Sequence, residues 1–235
     1  MNDNATRVLI HSGGMCNARV YRVEEADGAL HIEKDFSSSP WPIRHTIGRF
    51  LIWRETWILG RLASIGIVPR NVRKLAPYRL REDFCPGFAL RDSDTGVYGA
   101  NVFDPTKVVG APPEMLREPV PRSFFEALEA GVKAIHAAKF VHLDLHNARN
   151  VMVGPDWKPT LIDWQSALPT FWMPGPLRRA LERIDLAGVY KLWHKFRRGE
   201  LSDAQMRFLN HARFIRRHFW VPRLHADHGA PVKPR

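Results

Sequence analysis

The spacing of apolar residues changes along this chain, and each change marks a new element. Over residues 7–36 the strand formers Val8, Ile10, Val20, Tyr21, Val23, Leu30 and Ile32 predict a meander, with Asp27-Gly28 as a hairpin-type turn. Over 46–64 the spacing lengthens to that of a helix, with Ile47, Leu51, Ile58 and Leu62 among its apolar positions. Pro69 and Pro77 then punctuate a loop and a strand, and the run from Tyr78 is a strand that breaks at Pro86-Gly87, a natural boundary. Residues 88–121 are rich in Gly, Asp and Pro and predict loop.

Helical spacing returns at Ser123-Phe-Phe-Glu126, a capping box that opens a helix carrying Leu128, Val132 and Ile135 on one side. Three short apolar runs follow, around Phe140, Val151 and Leu161. A second capping box, Ser202-Asp-Ala-Gln205, starts a last helix with the stripe Leu201, Phe208, Ala212, Ile215 and Phe219. From Val221 on, Pro, His and Gly predict a frayed tail.

At 235 residues, 45% of them hydrophobic and eight of them Trp, the chain can bury a sizeable core, which excludes disorder as its default state. Cys16 and Cys85 are too few and too far apart for a disulfide framework or a zinc site, and free thiols are expected. The first residues lack the order of a signal peptide, and no apolar run is long enough to span a membrane, so a cytoplasmic location is expected. Net charge is +11, and residues 176–235 carry 14 Lys and Arg against 5 Asp and Glu, so 14 − 5 = +9 falls in that stretch. Such a basic region attracts polyanions, whether nucleic acid, anionic lipid or a phosphorylated glycan.

The candidate chemistry lies in the short apolar runs of the middle. The first delivers His142 and Asp144; Asn150 precedes the second; the third ends in Asp163-Trp164-Gln165. Two carboxylates and a carboxamide then converge at strand ends, a set of hard oxygen donors suited to Mg²⁺ and the phosphates it carries. A carboxylate beside the metal can take a proton from an attacking hydroxyl. In the amino-terminal third, Lys34 shares the apolar face of its strand with Leu30 and Ile32, where an ammonium needs a buried partner. Glu55, on the following helix, is the first candidate, with Glu25 and Glu33 behind it.

These residues together resemble the protein-kinase-like superfamily, whose signatures are His-x-Asp-x-x-x-x-Asn and Asp-Phe-Gly. The resemblance runs over about residues 8–190 and implies an α+β, two-lobe fold. A small antiparallel β N-lobe would occupy 1–87 and a truncated, mainly helical C-lobe 88–220, with a flexible tail over 221–235. It implies ATP and Mg²⁺ as cofactors, Asp144 as catalytic base, Asn150 and Asp163 as metal ligands, and Lys34 paired to Glu55 on the α- and β-phosphates. Gly13 and Val20 match a worn glycine-rich loop, although Gly13-Gly14 also reads as an ordinary turn. Glu82, Phe84 and Cys85 match the hinge that binds adenine.

His142 is expected to pin the catalytic loop, and His146 to touch the γ-phosphate or make a loop hydrogen bond. Asp185 resembles the aspartate that steadies that loop. The departures are one residue of extra spacing before Asn150, Leu143 where Arg is usual, and Trp164-Gln165 in place of Phe-Gly. The lost glycine removes the freedom to flip between states. With 22 residues from Asp163 to Asp185 there is no room for a peptide-docking platform, which argues for constitutive activity.

The short C-lobe is similar to that of lipopolysaccharide sugar kinases and of RIO-type atypical kinases. The acceptor implied is accordingly a core sugar or a protein Ser/Thr hydroxyl. Peripheral contact with an anionic membrane through the basic C-terminal region goes with the first. Two other readings fit the same sequence: a pseudokinase that binds nucleotide or a partner without chemistry, and a basic nucleic-acid-binding module with salt-dependent affinity.

Overall fold

The computed structural model describes residues 5–13, 17–93 and 108–218. The chain is a mixed α+β protein. Its amino-terminal part is a five-stranded antiparallel sheet built from β1 (Thr6–His11), β2 (Arg19–Glu24), β3 (Leu30–Asp35), β4 (Arg73–Ala76) and β5 (Arg79–Asp83), in the order β1-β2-β3-β5-β4. The Asp27-Gly28 turn forms as predicted. Gly28 takes φ +83°, and Asp27 Oδ1 accepts a hydrogen bond from Ala29 N at 3.0 Å. β1 departs from expectation, since Val8, Leu9 and Ile10 are all exposed on this edge strand.

The helix predicted over 46–64 begins earlier, at a proline-started turn, α1 (Trp41–Ile43). It passes through a π-helical turn over Arg44–Gly48 and runs on as α2 (Arg49–Leu62). Gly48 sits where a Cβ would come within 2.9 Å of the Phe36 ring, so the helix lies close against the end of β3. Ile52 packs with Phe36, Leu80 and Ala18 beneath the sheet. Ile58, Leu59 and Leu62 reach instead into the larger core of the carboxy-terminal part. One helix thus ties both cores together.

That larger core is built on α3 (Arg122–Ala137), α4 (Gly175–Phe196) and α5 (Asp203–His218), with β6 (Phe88–Ala89), β7 (Phe140–Val141), β8 (Val151–Val153), β9 (Pro159–Leu161) and β10 (Leu168–Pro169) between them. Leu128, Val132 and Ile135 form the buried side of α3 as read from the sequence. The capping box at Ser123 does not form. Pro121 is the N-cap, the helix begins at Arg122, and Glu126 pairs with Arg122 Nε at 2.8 Å rather than turning back to the backbone.

The second capping box does form: Gln205 N donates to Ser202 Oγ at 3.3 Å and Ser202 N to Gln205 Oε1 at 2.9 Å. Of the predicted stripe, Leu201 and Phe208 pack against the core beside the buried Leu209, with Phe208 edge-on to Tyr190 at 5.5 Å. The side chain of Ile215, and Phe219 with the tail, lie outside the described residues. No helix among the described residues is long and apolar enough to cross a membrane.

Candidate functional site

Two devices of the backbone bring the central polar residues together. The first is a hairpin. β8 and β9 pair antiparallel with Val151 opposite Leu161, and Gly154 N closes the turn on Lys158 O at 2.9 Å. Stepping outward from the turn, Asn150 must then meet Ile162, and Ile162 N donates to Asn150 O at 2.9 Å. Asn150 and Asp163 therefore emerge side by side at the open end.

The second device is a buried carboxylate. Asp185, on α4 and 1% exposed, accepts from His142 N at 2.8 Å and Leu143 N at 2.7 Å, and the His136 Nε2 donates to it at 3.1 Å. This clamp holds Leu143 at φ +66°, a costly conformation for a leucine, and sets the direction of Asp144. Gly188 lets α4 approach the loop, since a Cβ there would stand 2.8 Å from the Leu145 carbonyl carbon and 2.9 Å from His146 N.

Asp144 is 8% exposed and lies against Asn150, whose Nδ2 donates to Asp144 Oδ2 at 2.7 Å and to Asp144 O at 3.1 Å. Both partners are acceptors, so the amide must present nitrogen to them, and its oxygen faces the other way. His146 Nδ1 stands 3.5 Å from Asp144 Oδ1, on a half-exposed ring. Asp163 sits at φ +61° and is exposed to solvent. No hydrogen bond occupies its carboxylate among the described residues.

One open carboxylate and one amide oxygen fit a Mg²⁺ ion that completes its shell with water and phosphate oxygens. No cluster of three or more His, Cys, Asp or Glu able to hold a metal by itself occurs among the described residues.

His142 serves structure. Its buried ring is held neutral, since burial lowers its pKa despite the nearby Asp185. Nε2 lies 3.1 Å from Ile162 O and must carry the proton, because a carbonyl only accepts. The ring thereby joins the Asp144 loop to the residue preceding Asp163. Trp164, fully buried, packs edge-on to His142 with ring centroids 4.7 Å apart and donates its indole N–H to Leu161 O at 3.0 Å. Arg54 of α2 hydrogen-bonds Gln165 O. The turn after Asp163 is anchored at both of its first residues.

The amino-terminal residues meet this cluster. Lys34 is buried in β3, its strand neighbours Val20 and Leu80 flanking it on the same face. Its ammonium is paired with Glu55 of α2 and lies 3.5 Å from Glu82 Oε1. Burial acts to lower the lysine pKa, but Glu55, Glu82 and Asp163 outweigh it and the net shift is upward. α2 links Lys34 to the turn after Asp163, since Glu55 holds the ammonium and the adjacent Arg54 hydrogen-bonds Gln165 O. Glu25 and Glu33, the lesser candidates for Lys34, instead hold Arg81.

Of the residues expected at the hinge, Glu82 belongs to β5 opposite Ile32 and is buried, pointing inward. The period-two pattern carried this signal, since Glu82 follows the buried Leu80 by two. Its Oε2 is buried without a partner. Phe84 N donates to Leu30 O at 3.3 Å, which engages that amide too. Cys85 is half-buried and its thiol is pushed up to about 12, by burial first and by Glu82 next.

Gly13 takes φ +68°, and a Cβ on it would stand 2.7 Å from Asn17 O, so only glycine fits this tight turn. Gly13, Asn17 and Arg19 face Ser38, Ser39 and Pro40 across a polar pocket of about 230 Å³. Gly14 and Met15 lie outside the described residues.

Burial pushes the Glu82 carboxyl up to about 7, with Lys34 opposing and Glu55 reinforcing the shift. The sign for stability follows. Between the ordinary carboxyl pKa near 4.5 and about 7 the folded chain holds a proton that the unfolded chain releases, so this group lowers stability as pH rises through that window. Glu82→Gln is expected to flatten the fall in denaturation midpoint across it, an effect of roughly 2–3 kcal/mol. Urea titrations of parent and variant at several pH values measure it; parallel curves would refute the assignment. Neither a scan of protein-family models nor a search of curated proteins finds a match to this chain.

Proposed function

We propose that this protein is an ATP-dependent phosphotransferase with a protein-kinase-like, two-lobe fold, moving the γ-phosphate to an alcohol. The sheet and α2 make its small lobe, and the part beyond Pro86-Gly87 its larger one. One observation supports this above the rest: α2 fixes the Lys34 ammonium through Glu55 and, through the adjacent Arg54, holds the turn that follows the solvent-open Asp163. A buried ammonium and an open carboxylate tied to one helix suit a polyphosphate that arrives with a divalent cation.

In this reading Asp144 receives the acceptor's proton, and Asn150 holds its carboxylate in place through the 2.7 Å hydrogen bond. The Asn150 amide oxygen and Asp163 would hold Mg²⁺, which when bound neutralises phosphate charge. Lys34 contacts the α- and β-phosphates, and His146, beside Asp144, faces the transferred group. Most of the rate enhancement comes from positioning and charge neutralisation. The acceptor is a lipopolysaccharide core sugar or a protein Ser/Thr hydroxyl. Its side of the site is open, as the half-exposed His146 indicates.

The test is transfer of label from γ-labelled ATP into a cell extract resolved into protein, lipid-linked glycan and small-molecule fractions. Label is expected in one of the first two. Asp144→Asn should reduce it on the order of 10²–10⁴-fold while leaving ATP binding intact. A parent chain that binds ATP but transfers nothing is a nucleotide-binding module, and one that neither binds nor transfers sinks the proposal.

A further inference from the structure

α2 and the loop before α4 share an outward surface that the phosphotransfer site does not use. Phe50, Trp53, Phe171 and Trp172 are 53%, 53%, 60% and 66% exposed, whereas nine other aromatics among the described residues are buried. They are not scattered. Phe50 and Trp53 rings lie 6.0 Å apart, Trp53 stacks on Trp57 at 6.4 Å, and Trp57 meets Phe171 edge-on at 6.4 Å. A continuous aromatic ladder thus crosses from one element to the other. A contiguous exposed patch of this kind marks an interaction surface where single exposed apolar residues would not.

The charges around it have one sign. Residues 41–62 carry Arg44, Arg49, Arg54 and Arg61, and their one acid, Glu55, is buried on Lys34. Residues 168–184 carry three Arg and one Glu, and that Glu182 is 3.5 Å from Arg178. Two of the guanidiniums lie over the ladder itself, Arg54 5.3 Å from the Phe50 centroid and Arg61 5.5 Å from that of Trp57.

We propose that this face is a docking surface for an anionic lipid bilayer. Indole and phenyl rings partition into the headgroup region, where one side is apolar and the other wet, and arginines beside them reach lipid phosphates. The face is the outward side of a helix, so its rings can enter the headgroup layer, whereas a peptide partner would ask for a groove.

The full chain should co-sediment with vesicles of equal parts phosphatidylglycerol and phosphatidylcholine, with a blue-shifted tryptophan emission. It should bind pure phosphatidylcholine weakly, and added salt should release it. Trp53→Ser with Trp172→Ser should weaken binding on the order of tenfold or more, and so should Arg49→Ala with Arg61→Ala. Circular dichroism melting checks that each variant folds.

Three results would overturn the proposal. The first is a parent that ignores anionic vesicles; the second is variants that bind as the parent does, which assigns binding to the basic tail; the third is a dimer in sedimentation that the same variants dissociate, which assigns the face to a second copy of the chain.

Discussion

Lys34→Met is expected to destabilise the protein by about 3–5 kcal/mol, more than a mid-sized core truncation in the same sheet. The cause is not a lost attraction alone. Lys34, Glu55 and Glu82 are all nearly inaccessible, at 6%, 1% and 3% exposure. Removing the ammonium leaves two carboxylates facing each other in a poorly solvated site, and Oε2 of Glu82 already has no partner. The chain must then ionise neither or admit water.

Replacing the carboxylates as well separates this account from a packing effect. Lys34→Met with Glu55→Gln and Glu82→Gln should recover most of the stability, because no charge remains buried, yet phosphotransfer should stay lost in both variants. Denaturant midpoints and label transfer, measured on the same preparations, check the two halves. Equal instability of the single and triple variants would assign the loss to packing instead.

Much of the site was legible in the sequence because its parts lie on elements with a fixed period. Lys34 alternates with Ile32 on a strand, so its face follows from its number, and its need for a partner follows from that face. The pairing with Glu55 came from the order of parts in the resemblance. Distance along the chain is no guide there: 21 residues separate the two, and Glu33 is adjacent but points to Arg81. Asn150 was placed one residue out of register by its position before an apolar run, and the β8–β9 hairpin gives the physical reason that position matters.

Other features were hidden for identifiable reasons. The resemblance assigns Glu82 to the hinge, and its burial beside Lys34 at the end of β5 is a tertiary feature that the resemblance does not carry. The helix start at Trp41 was missed because a π-helical turn breaks the 3.6-residue spacing that announces a helix. Ser123 failed as a cap because Pro121, two residues earlier, already sets the extended backbone from which the helix departs. The aromatic ladder could not be read at all, since Phe171 joins Trp57 only through tertiary packing. His136 left a fainter signal: it follows Val132 by one helical turn and so lies on the buried side of α3.

Asp185→Ala should come close to abolishing both folding stability and transfer, although the residue is distant from any reacting atom in sequence and never reaches solvent. Its carboxylate satisfies three donors at once: His142 N, Leu143 N and the His136 ring. Alanine supplies none of these bonds. Each buried donor left unsatisfied costs about 1–3 kcal/mol, so the sum for three, roughly 3–9 kcal/mol, is a large part of what a domain of this size has. The functional loss has a separate origin. Leu143 is held left-handed by the same bonds, and relaxing it rotates the peptide that sets the direction of Asp144, the base of the proposed transfer.

Asp185→Asn distinguishes the two effects. Its one carbonyl oxygen can still accept from a single amide, while its NH₂ must face the other, so it should fold with a lowered melting temperature yet transfer label far more slowly than the parent. Binding of ATP should be nearly unchanged in that variant, because Lys34 and Asp163 keep their own supports in β3 and in the turn anchored by Trp164. A variant that folds and transfers like the parent would mean that the loop keeps its shape through the Ile162 contact of His142 alone, and that the clamp from α4 is dispensable.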